Sequence, residues 1–264
     1  MYHIPMEERT AIITGVNGQD GSYLADLLLD KGYHVVGIVR RSSVDNTERI
    51  VGIIKHPHFE LVEGDITDAT SVNSWLMKYK PEEFYNLAAQ SHVGTSFKQP
   101  VLTWRVDAEA VINILEGIRN HSQDTKFYQA STSEMFGKNF SVPEGYSQDH
   151  VLPSDLYKWQ DEDTPFSPQS PYGVAKVAAH YAVDMYREAY GLHASCGILF
   201  NHESERRGDE FVTRKITKWL GKYHKWVVHL EGNFDRNHVM SDGANHREPY
   251  LETIVWDSGV SFPK

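Results

Sequence analysis

Thr-Gly-Val-Asn-Gly-Gln-Asp-Gly occupies residues 14–21, directly after the apolar run TAIIT at residues 10–14. Its glycines follow the spacing G-x-x-G-x-x-G, at the point where a first strand would pass into a helix predicted over residues 20–32. In such a loop one glycine permits a tight turn, one lets a pyrophosphate approach the backbone, and one lets the helix pack on the sheet. The helix N-terminus then faces the anion. The stretch predicts dinucleotide binding, and a glycine-rich turn without a ligand is the alternative.

The remainder of the first 200 residues alternates β-rich runs with longer stretches of helical spacing. The β-rich runs are residues 10–14, 33–39, 59–64, 83–89, 126–131 and 193–200. This alternation predicts an α/β fold with a Rossmann-like, doubly wound parallel sheet and right-handed crossovers. In the first helix, Leu24, Leu27 and Leu28 fall on one face. We expect residues 1–200 to form the dinucleotide-binding domain.

Composition excludes several classes of protein. The 264 residues carry 26 Lys and Arg against 36 Asp and Glu, for a net charge of −10, which argues against nucleic-acid binding. Cys196 is the one cysteine, so an intrachain disulfide and a multi-cysteine zinc site are ruled out. The 14 histidines are scattered without an H-E-x-x-H motif, so no metal is expected. Without a signal-like N-terminus or a long apolar run, we expect a cytoplasmic protein with no membrane contact.

An acidic, proline-containing segment interrupts the pattern at about residues 140–165. Six acids and one base, Lys158, fall within residues 144–163. We interpret the segment as a long surface loop inserted into the domain. It is either a solvated insertion or a lid or partner-contact loop, because loops of this length are uncommon without a role.

The residues after the second strand bear on the choice of cofactor. An NAD site places Asp or Glu there, whereas this chain has Arg40, Arg41, Ser42 and Ser43. Guanidinium groups offer forked donors to a phosphate, so the sequence favours NADP, and a solvated basic pair is the alternative. Asp65 is expected at the adenine edge, and residues 87–91 are expected to pass beneath the cofactor.

Two short motifs carry candidate catalytic groups. Tyr172 and Lys176 are spaced to share one helix face, and a nearby ammonium would lower the pKa of the tyrosine so that it acts as a base. About 0.7 such pairs are expected by chance in this composition, so position after a dinucleotide loop supplies the specificity. At the end of the fifth strand, Thr132 could bind a substrate hydroxyl and Glu134 is a second ionisable group. A helix capping box is the alternative there.

Together these strings resemble the extended short-chain dehydrogenases/reductases and, within them, the GDP-mannose 4,6-dehydratase family. The matching strings span roughly residues 10–217 and include TGVNGQDGSYLADLLLDKGY, GIVRRSS, KFYQASTSEMFGK, SPQSPYGVAK and GILFNHES. The resemblance implies a hydro-lyase of nucleotide-sugar metabolism and GDP-fucose biosynthesis that converts GDP-mannose to GDP-4-keto-6-deoxymannose. It also implies internal hydride transfer through NADP, and a homo-oligomer, either a dimer or a tetramer.

The resemblance assigns roles residue by residue. The implied catalytic residues are Thr132, Glu134, Tyr172 and Lys176. The implied cofactor-binding residues are Gly15, Val16, Asn17, Gly18, Gln19, Asp20, Arg40, Arg41, Ser42, Ser43, Asp65, Ile66, Leu87, Ala88, Ala89, Gln90, Ser91, Lys176, His202 and Arg207. The implied substrate-binding residues are Ser133, Asn201 and Lys215.

The chain also departs from the family pattern. Thr132 and Tyr172 are 40 residues apart, which is more than usual and reflects the acidic insertion. Leu102 replaces an expected cofactor-contacting tyrosine, and Glu205 replaces an expected proline. After FVTRKI the match decays, so residues 201–264 are expected to form a partial substrate-binding region of a truncated or divergent member. Another NADP-dependent nucleotide-sugar dehydratase or epimerase, or a non-catalytic NADP-binding homologue, are the alternatives.

Overall fold

A six-stranded, wholly parallel sheet forms the centre of the protein. The computed structural model describes residues 9–146 and 158–233, with side chains described through residue 225. The strands are β1 (Thr10–Thr14), β2 (His34–Val39), β3 (Phe59–Glu63), β4 (Glu83–Asn86), β5 (Lys126–Thr132) and β6 (Ala194–Leu199). Their order, β3-β2-β1-β4-β5-β6, confirms the predicted doubly wound fold.

Helices connect the strands and cover the two faces of the sheet. They are α1 (Gln19–Asp30), α2 (Ala69–Tyr79), α3 (Val93–Lys98), α4 (Pro100–Trp104), α5 (Ala110–His121), α6 (Pro171–Tyr190) and α7 (Val212–Asn233). A π-helical turn, Arg105–Glu109, joins α4 to α5. Short 3-10 turns lie at Glu48–Ile50 and Ser133–Met135.

The core lies in two layers, because successive side chains of a strand point to opposite faces. On β1, Ile12 belongs to the cluster beneath α2, α5 and α6, whereas Ile13 belongs to the cluster beneath α1. Both side chains are fully buried. Strands covered on both faces are typical of parallel sheets.

The leucines of α1 are buried to different degrees. Leu28 is buried and Leu24 is partly buried, but Leu27 is 49% exposed. Ala25 and Leu29 are buried with Leu28. The helix begins at Gln19, and its buried residues also include Gly21 and Ser22.

The described ends of the acidic insertion bind one another. Ser141 and Trp159 form an antiparallel bridge, with backbone N–H···O distances of 2.7 and 3.2 Å. Thr164 is buried, and its hydroxyl lies 2.6 Å from the Ser141 hydroxyl. The two ends of the insertion are therefore held together where it leaves the domain. This explains how the insertion lengthens the sequence between Thr132 and Tyr172 without separating them in space. The middle of the insertion, residues 147–157, lies outside the described residues.

The chain divides into two compact units, Met1–Phe211 and Val212–Lys264. Within the second unit, α7 has apolar side chains at helical spacing, and the Trp219 and Tyr223 rings stack 5.5 Å apart. Residues 234–264 lie outside the described residues. No helix in the described part of the chain combines the length and apolar character that a membrane span requires.

Candidate cofactor site and active site

The predicted site residues gather at the carboxyl ends of the strands, where the strand order reverses between β1 and β4. Ligands of doubly wound sheets bind at this switch point. A series of hydrogen bonds between buried side chains crosses the switch point: Thr14 donates to Asn86 at 2.6 Å, and Asn86 donates to Gln129 at 2.7 Å. Because Ala88 N–H donates to the Thr14 hydroxyl at 3.2 Å, this series of hydrogen bonds also holds the segment that follows β4.

The glycine loop packs too tightly for side chains. Gly15 has φ +69°, and a Cβ there would lie 2.9 Å from Ala88 N. A Cβ on Gly21 would lie 2.8 Å from Val16 Cα and would also meet the Gly15 carbonyl oxygen. Gly18 is the N-cap of α1 and provides no side chain to bond its first turn. The amide groups of that turn therefore fit an anionic group such as a pyrophosphate.

The segments after β2 and β3 reach the same edge of the sheet. Arg40, Arg41, Ser42 and Ser43 are all exposed directly after β2. Asp65 Oδ1 accepts from Thr67 N–H at 2.9 Å and Thr67 O–H at 2.8 Å, which forms a local turn after β3. Ile66 is buried beside it. A basic, open edge next to the glycine loop is chemically suited to a phosphate on the adenosine ribose.

The predicted floor, Leu87–Ser91, is fixed mainly through Gln90. Its side-chain amide donates to the Thr103 hydroxyl at 3.1 Å and to the His92 carbonyl oxygen at 3.2 Å. Its backbone N–H donates to Asp107 Oδ1 at 2.8 Å. The expected strand at residues 83–89 accordingly ends at Asn86, since the following residues bond to side chains rather than to the sheet.

The start of α6 fixes the position of the tyrosine–lysine pair. The Ser170 hydroxyl caps the helix by accepting from Gly173 N–H at 3.0 Å, and Pro171 occupies the first turn. A Cβ on Gly173 would lie 3.0 Å from the Glu134 carbonyl oxygen. The absence of that Cβ lets the first turn of α6 pack directly against the end of β5.

Thr132, Tyr172 and Lys176 are brought together beneath this packing. All three are buried, at 8%, 8% and 2% exposed. Lys176 donates to the Ala130 carbonyl oxygen at 2.8 Å, and its nitrogen lies 5.8 Å from the centre of the Tyr172 ring. Tyr172 hydrogen-bonds to the Thr132 hydroxyl. Glu134 is exposed beside them, and its charge acts on Tyr172.

The electrostatics of the tyrosine differ from the sequence expectation. The pKa of Tyr172 is raised to about 12: burial and the charges of Asp107 and Glu134 raise it, and the Thr132 hydrogen bond lowers it. Burial also lowers the pKa of Lys176. The expected lowering of the tyrosine pKa is therefore wrong, because desolvation is the largest influence on it.

The end of β5 has the cap geometry that the sequence offered as the alternative, and the catalytic roles of Thr132 and Glu134 stay predictions. Thr132 is the N-cap of the 3-10 turn Ser133–Met135, and its hydroxyl oxygen accepts from Glu134 N–H at 3.2 Å. The same hydroxyl bonds to Tyr172. The cap thus fixes Thr132 with its oxygen toward the tyrosine and Glu134 at the rim.

A strap, defined as residues 202–206, crosses from the end of β6 to the glycine loop. His202 Nε2 lies 2.7 Å from Asp20 Oδ1, and Ser204 donates to Gln19 Oε1 at 2.9 Å. Arg206 donates to Asp26 at 2.7 Å. These contacts place predicted cofactor residues Gln19, Asp20 and His202 in one network.

The remaining predicted site residues belong neither to the strap nor to α1. The Arg207 guanidinium lies 3.6 Å from the centre of the Phe211 ring and 3.4 Å from Glu203. Asn201 is exposed next to the strap. Leu102 is 40% exposed on α4. Lys215 lies on α7, in the second compact unit.

Sequence reasoning missed one buried and one partly buried polar group near the tyrosine–lysine pair. Asp107 is 1% exposed in the π-helical turn. His180 follows Lys176 by one turn of α6, and its Nδ1 lies 3.1 Å from the Ser131 hydroxyl. The sequence feature that could have indicated Asp107 is a carboxylate close to the apolar residues Val106, Ala110 and Val111.

A parallel doubly wound sheet, a glycine loop at its switch point and a buried tyrosine–lysine pair define a protein of the short-chain dehydrogenase/reductase class. A sequence model described as GDP-mannose 4,6 dehydratase matches residues 12–236. The chain belongs to the GDP-mannose 4,6-dehydratase family.

Curated relatives agree with this placement. GDP-mannose 4,6-dehydratase from Vibrio cholerae is 49% identical over 81% of this chain and 55% of its own length. The Drosophila melanogaster enzyme is 46% identical over 94% of this chain and 60% of its own length. The chain thus spans a little over half the length of these curated relatives.

Two solved structures share the fold at lower identity. Streptomyces venezuelae DesIV, a dTDP-glucose 4,6-dehydratase, has a TM-score of 0.67 and 20% identity, and covers 81% of this chain and 62% of its own. UDP-N-acetylglucosamine 4-epimerase from Methanobrevibacter ruminantium has a TM-score of 0.63 and 22% identity, and the match covers 78% of this chain and 59% of the epimerase chain.

Proposed function

We propose that the chain catalyses NADP-dependent dehydration of GDP-mannose to GDP-4-keto-6-deoxymannose. The observation that carries the proposal is the buried cluster of Thr132, Tyr172 and Lys176 with Glu134 at its rim, within a family of GDP-mannose 4,6-dehydratases. Residues 1–200 would hold the cofactor, and residues 201–264, including Asn201 and Lys215, would contribute a partial substrate-binding region. Lys215 would contact the diphosphate.

NADP is the proposed cofactor, and the NAD complex of DesIV supports a nicotinamide dinucleotide in general. The uncapped first turn of α1 would bind the pyrophosphate, and Arg40 and Arg41 would bind the 2′-phosphate. Residues 87–91 would line the floor. When bound, the cofactor would supply hydride chemistry by accepting hydride from carbon 4 and returning it at carbon 6.

The chain's own residues would move the protons. Tyr172, as a phenolate beside the Lys176 ammonium, would take the proton of the 4-hydroxyl while Thr132 holds that oxygen. The resulting 4-keto group acidifies the proton on carbon 5. Glu134 would take that proton and deliver it to the departing 6-hydroxyl, which leaves as water. Tyr172 would then return its proton to carbon 5, which regenerates the base.

Mass spectrometry of GDP-mannose incubated with the purified chain and NADP⁺ tests the proposal directly. We expect loss of one water from the sugar nucleotide and no net NADPH, because hydride is returned in each turnover. An unchanged mass from a folded, NADP-loaded sample would contradict turnover and favour a non-catalytic cofactor-binding protein. An isomeric product of unchanged mass, resolved by NMR, would favour an epimerase.

Glu134→Gln separates dehydration from epimerisation at the same site. A 4-epimerase needs no group to take the carbon-5 proton, so dehydration requires Glu134 and epimerisation does not. We therefore expect the variant to lose water elimination while hydride transfer to NADP⁺ persists and accumulates as NADPH absorbance.

We also propose a cytoplasmic homo-oligomer, either a dimer or a tetramer. Exposed apolar side chains support it, because Val101, Trp104 and Val174 line an open depression of about 410 Å³ between α4 and α6. Apolar patches of this kind are typical of protein interfaces. Light scattering during size-exclusion chromatography gives the mass directly, and Trp104→Glu should lower it if this face is the contact.

A further inference from the structure

Arg49 is a half-buried cation that the proposed reaction does not use. It lies in the 3-10 turn Glu48–Ile50, between β2 and β3. Its guanidinium donates through Nε to the Arg206 carbonyl oxygen at 2.7 Å and through Nη1 to the Asn17 carbonyl oxygen at 3.3 Å. One planar group therefore joins two backbone segments that lie 157 and 32 residues away along the chain.

Both segments belong to the predicted cofactor site. Asn17 is a predicted cofactor residue of the glycine loop, and Arg206 is the last residue of the strap. The strap is fixed in turn to α1, because the Arg206 guanidinium lies 4.1 Å from the centre of the Tyr23 ring and donates to Asp26 at 2.7 Å. The two bonds from Arg49 complete a ring that consists of the glycine loop, α1, the strap and the 3-10 turn.

The Asn17–Gly18 peptide is hydrogen-bonded on both sides. Its carbonyl oxygen accepts from Arg49, and its N–H donates to the Gly15 carbonyl oxygen at 2.9 Å. The Asn17 side chain also donates to the Asn46 carbonyl oxygen at 3.3 Å. A carbonyl oxygen held by a guanidinium cannot turn toward a bound pyrophosphate, whose negative charge it would repel. The contacts of Arg49 thus favour the form of the loop in which the first turn of α1 can receive that anion.

The guanidinium suits this position through its shape as well as its charge. Arginine offers its donors in a rigid fork, whereas the lysine ammonium is a compact charge on a flexible stem. Hydrogen bonds from a charged donor are also stronger than those between neutral groups. A loop that is ordered in its bound form before the ligand arrives binds more tightly, because less conformational freedom is lost on binding.

We propose that Arg49 is a positioning residue for the cofactor site: it joins the glycine loop to the strap and so holds the loop in the form that receives a dinucleotide. This role rests on the proposed function, which supplies the cofactor. Because Arg49 acts through the backbone of Asn17 and Arg206, its loss should change the affinity for the dinucleotide more than the rate of the chemical step.

Arg49→Met and Arg49→Lys test the proposal in the full chain. Methionine removes both hydrogen bonds, whereas lysine keeps the charge and loses the fork. We expect NADP⁺ to bind roughly tenfold more weakly to both variants by calorimetry. In the chain without ligand, amide hydrogen exchange in residues 15–19 should become roughly tenfold faster. During turnover of GDP-mannose, the loss should fall mainly on the KM for NADP⁺ rather than on kcat.

Arg119→Met is the matched control. Arg119 also makes two hydrogen bonds through one guanidinium, to Glu116 at 3.0 and 2.7 Å. It lies in the last turn of α5, before β5 begins, and therefore at the opposite edge of the sheet from the glycine loop. Its loss should change neither the affinity for NADP⁺ nor the exchange of residues 15–19.

The outcomes separate the two proposals. Unchanged NADP⁺ affinity in folded Arg49→Met would refute the positioning role. Full affinity in Arg49→Lys would also refute it, since charge alone would then be sufficient; this variant decides the question if Arg49→Met does not fold. A chain that binds no dinucleotide would refute the proposed function, whereas the exchange of residues 15–19 would still decide whether Arg49 fixes the loop.

Discussion

Tyr172 is subject to opposing influences on its pKa. Burial and the charges of two carboxylates raise the pKa, and the Thr132 hydrogen bond lowers it. Because the net pKa is about 12, the tyrosine is protonated at neutral pH. The proposed role as a base therefore depends on positive charge close to the phenol, which favours the phenolate.

Tyr172→Phe should abolish the base without disturbing the fold. The phenyl ring keeps the apolar contacts at the start of α6 and loses only the hydroxyl that bonds to Thr132. We expect kcat to fall by roughly 10²–10⁴-fold, the usual contribution of a general base. Rapid-quench measurement of 4-keto product checks this; a rate within a few-fold of the unmodified chain would show that another group is the base.

The Tyr172 and Lys176 pair could be predicted from sequence because both lie in one regular helix, where a spacing of four fixes a shared face. Asp107 could not, because its position depends on a π turn. If α4 continued as a regular α-helix, Asp107 would stand at a position that the sequence pattern assigns to an apolar residue. The extra residue of the π turn changes the direction in which the Asp107 side chain points, and no local sequence rule specifies such an insertion.

Among the elements, the β1–α1 junction depends most on the absence of side chains. Gly15 adopts a left-handed φ and Gly21 lies against the backbone of Gly15 and Val16. The spacing of the glycines predicted this junction correctly, since each contact is local. The buried face of α1 was less predictable, because Leu27 points away from a sheet whose position is set by distant strands.

Gly21→Ala should weaken both the fold and the cofactor site. The added Cβ would force residue 21 away from the backbone of Gly15 and Val16, at roughly 1–3 kcal/mol for such overpacking. We expect a lower thermal midpoint and roughly tenfold weaker NADP binding by calorimetry. Gly52→Ala is the matched control, because a Cβ there meets nothing within 4 Å; equal effects from both variants would contradict the packing argument.

At the scale of the molecule, the strap joins parts of the chain that are far apart in sequence. His202 and Asp20 are separated by 182 residues. His202 Nδ1 also lies 2.7 Å from the Phe200 carbonyl oxygen. Both partners are acceptors, so only the imidazolium, which donates from both nitrogens, satisfies them together. No sequence pattern indicated this pairing, because the sheet alone brings the ends of β1 and β6 to one edge.

The strap should stabilise the fold more at acidic pH than at alkaline pH. The Phe200 carbonyl and Asp20 raise the pKa of His202 above 6.5, so its stabilisation is complete below that value and is lost as pH rises through the folded pKa. We expect the urea midpoint of the chain to exceed that of His202→Gln more at pH 6 than at about pH 9. Both side chains are over a third exposed, so the difference should be small and should shrink in high salt.

The strand order also has a consequence for biosynthesis. β1, β2 and β3 pair within the first 63 residues, whereas the other edge of β1 is completed by β4, which begins at Glu83. During synthesis, a nascent chain that has released β3 would therefore expose an unpaired edge of the apolar strand β1 until β4 leaves the ribosome. Exposed edges recruit other strands. We expect pauses in translation between these strands to increase aggregation, and expression with slow codons placed at residues 64–82 to yield less soluble protein than the same codons placed after β4.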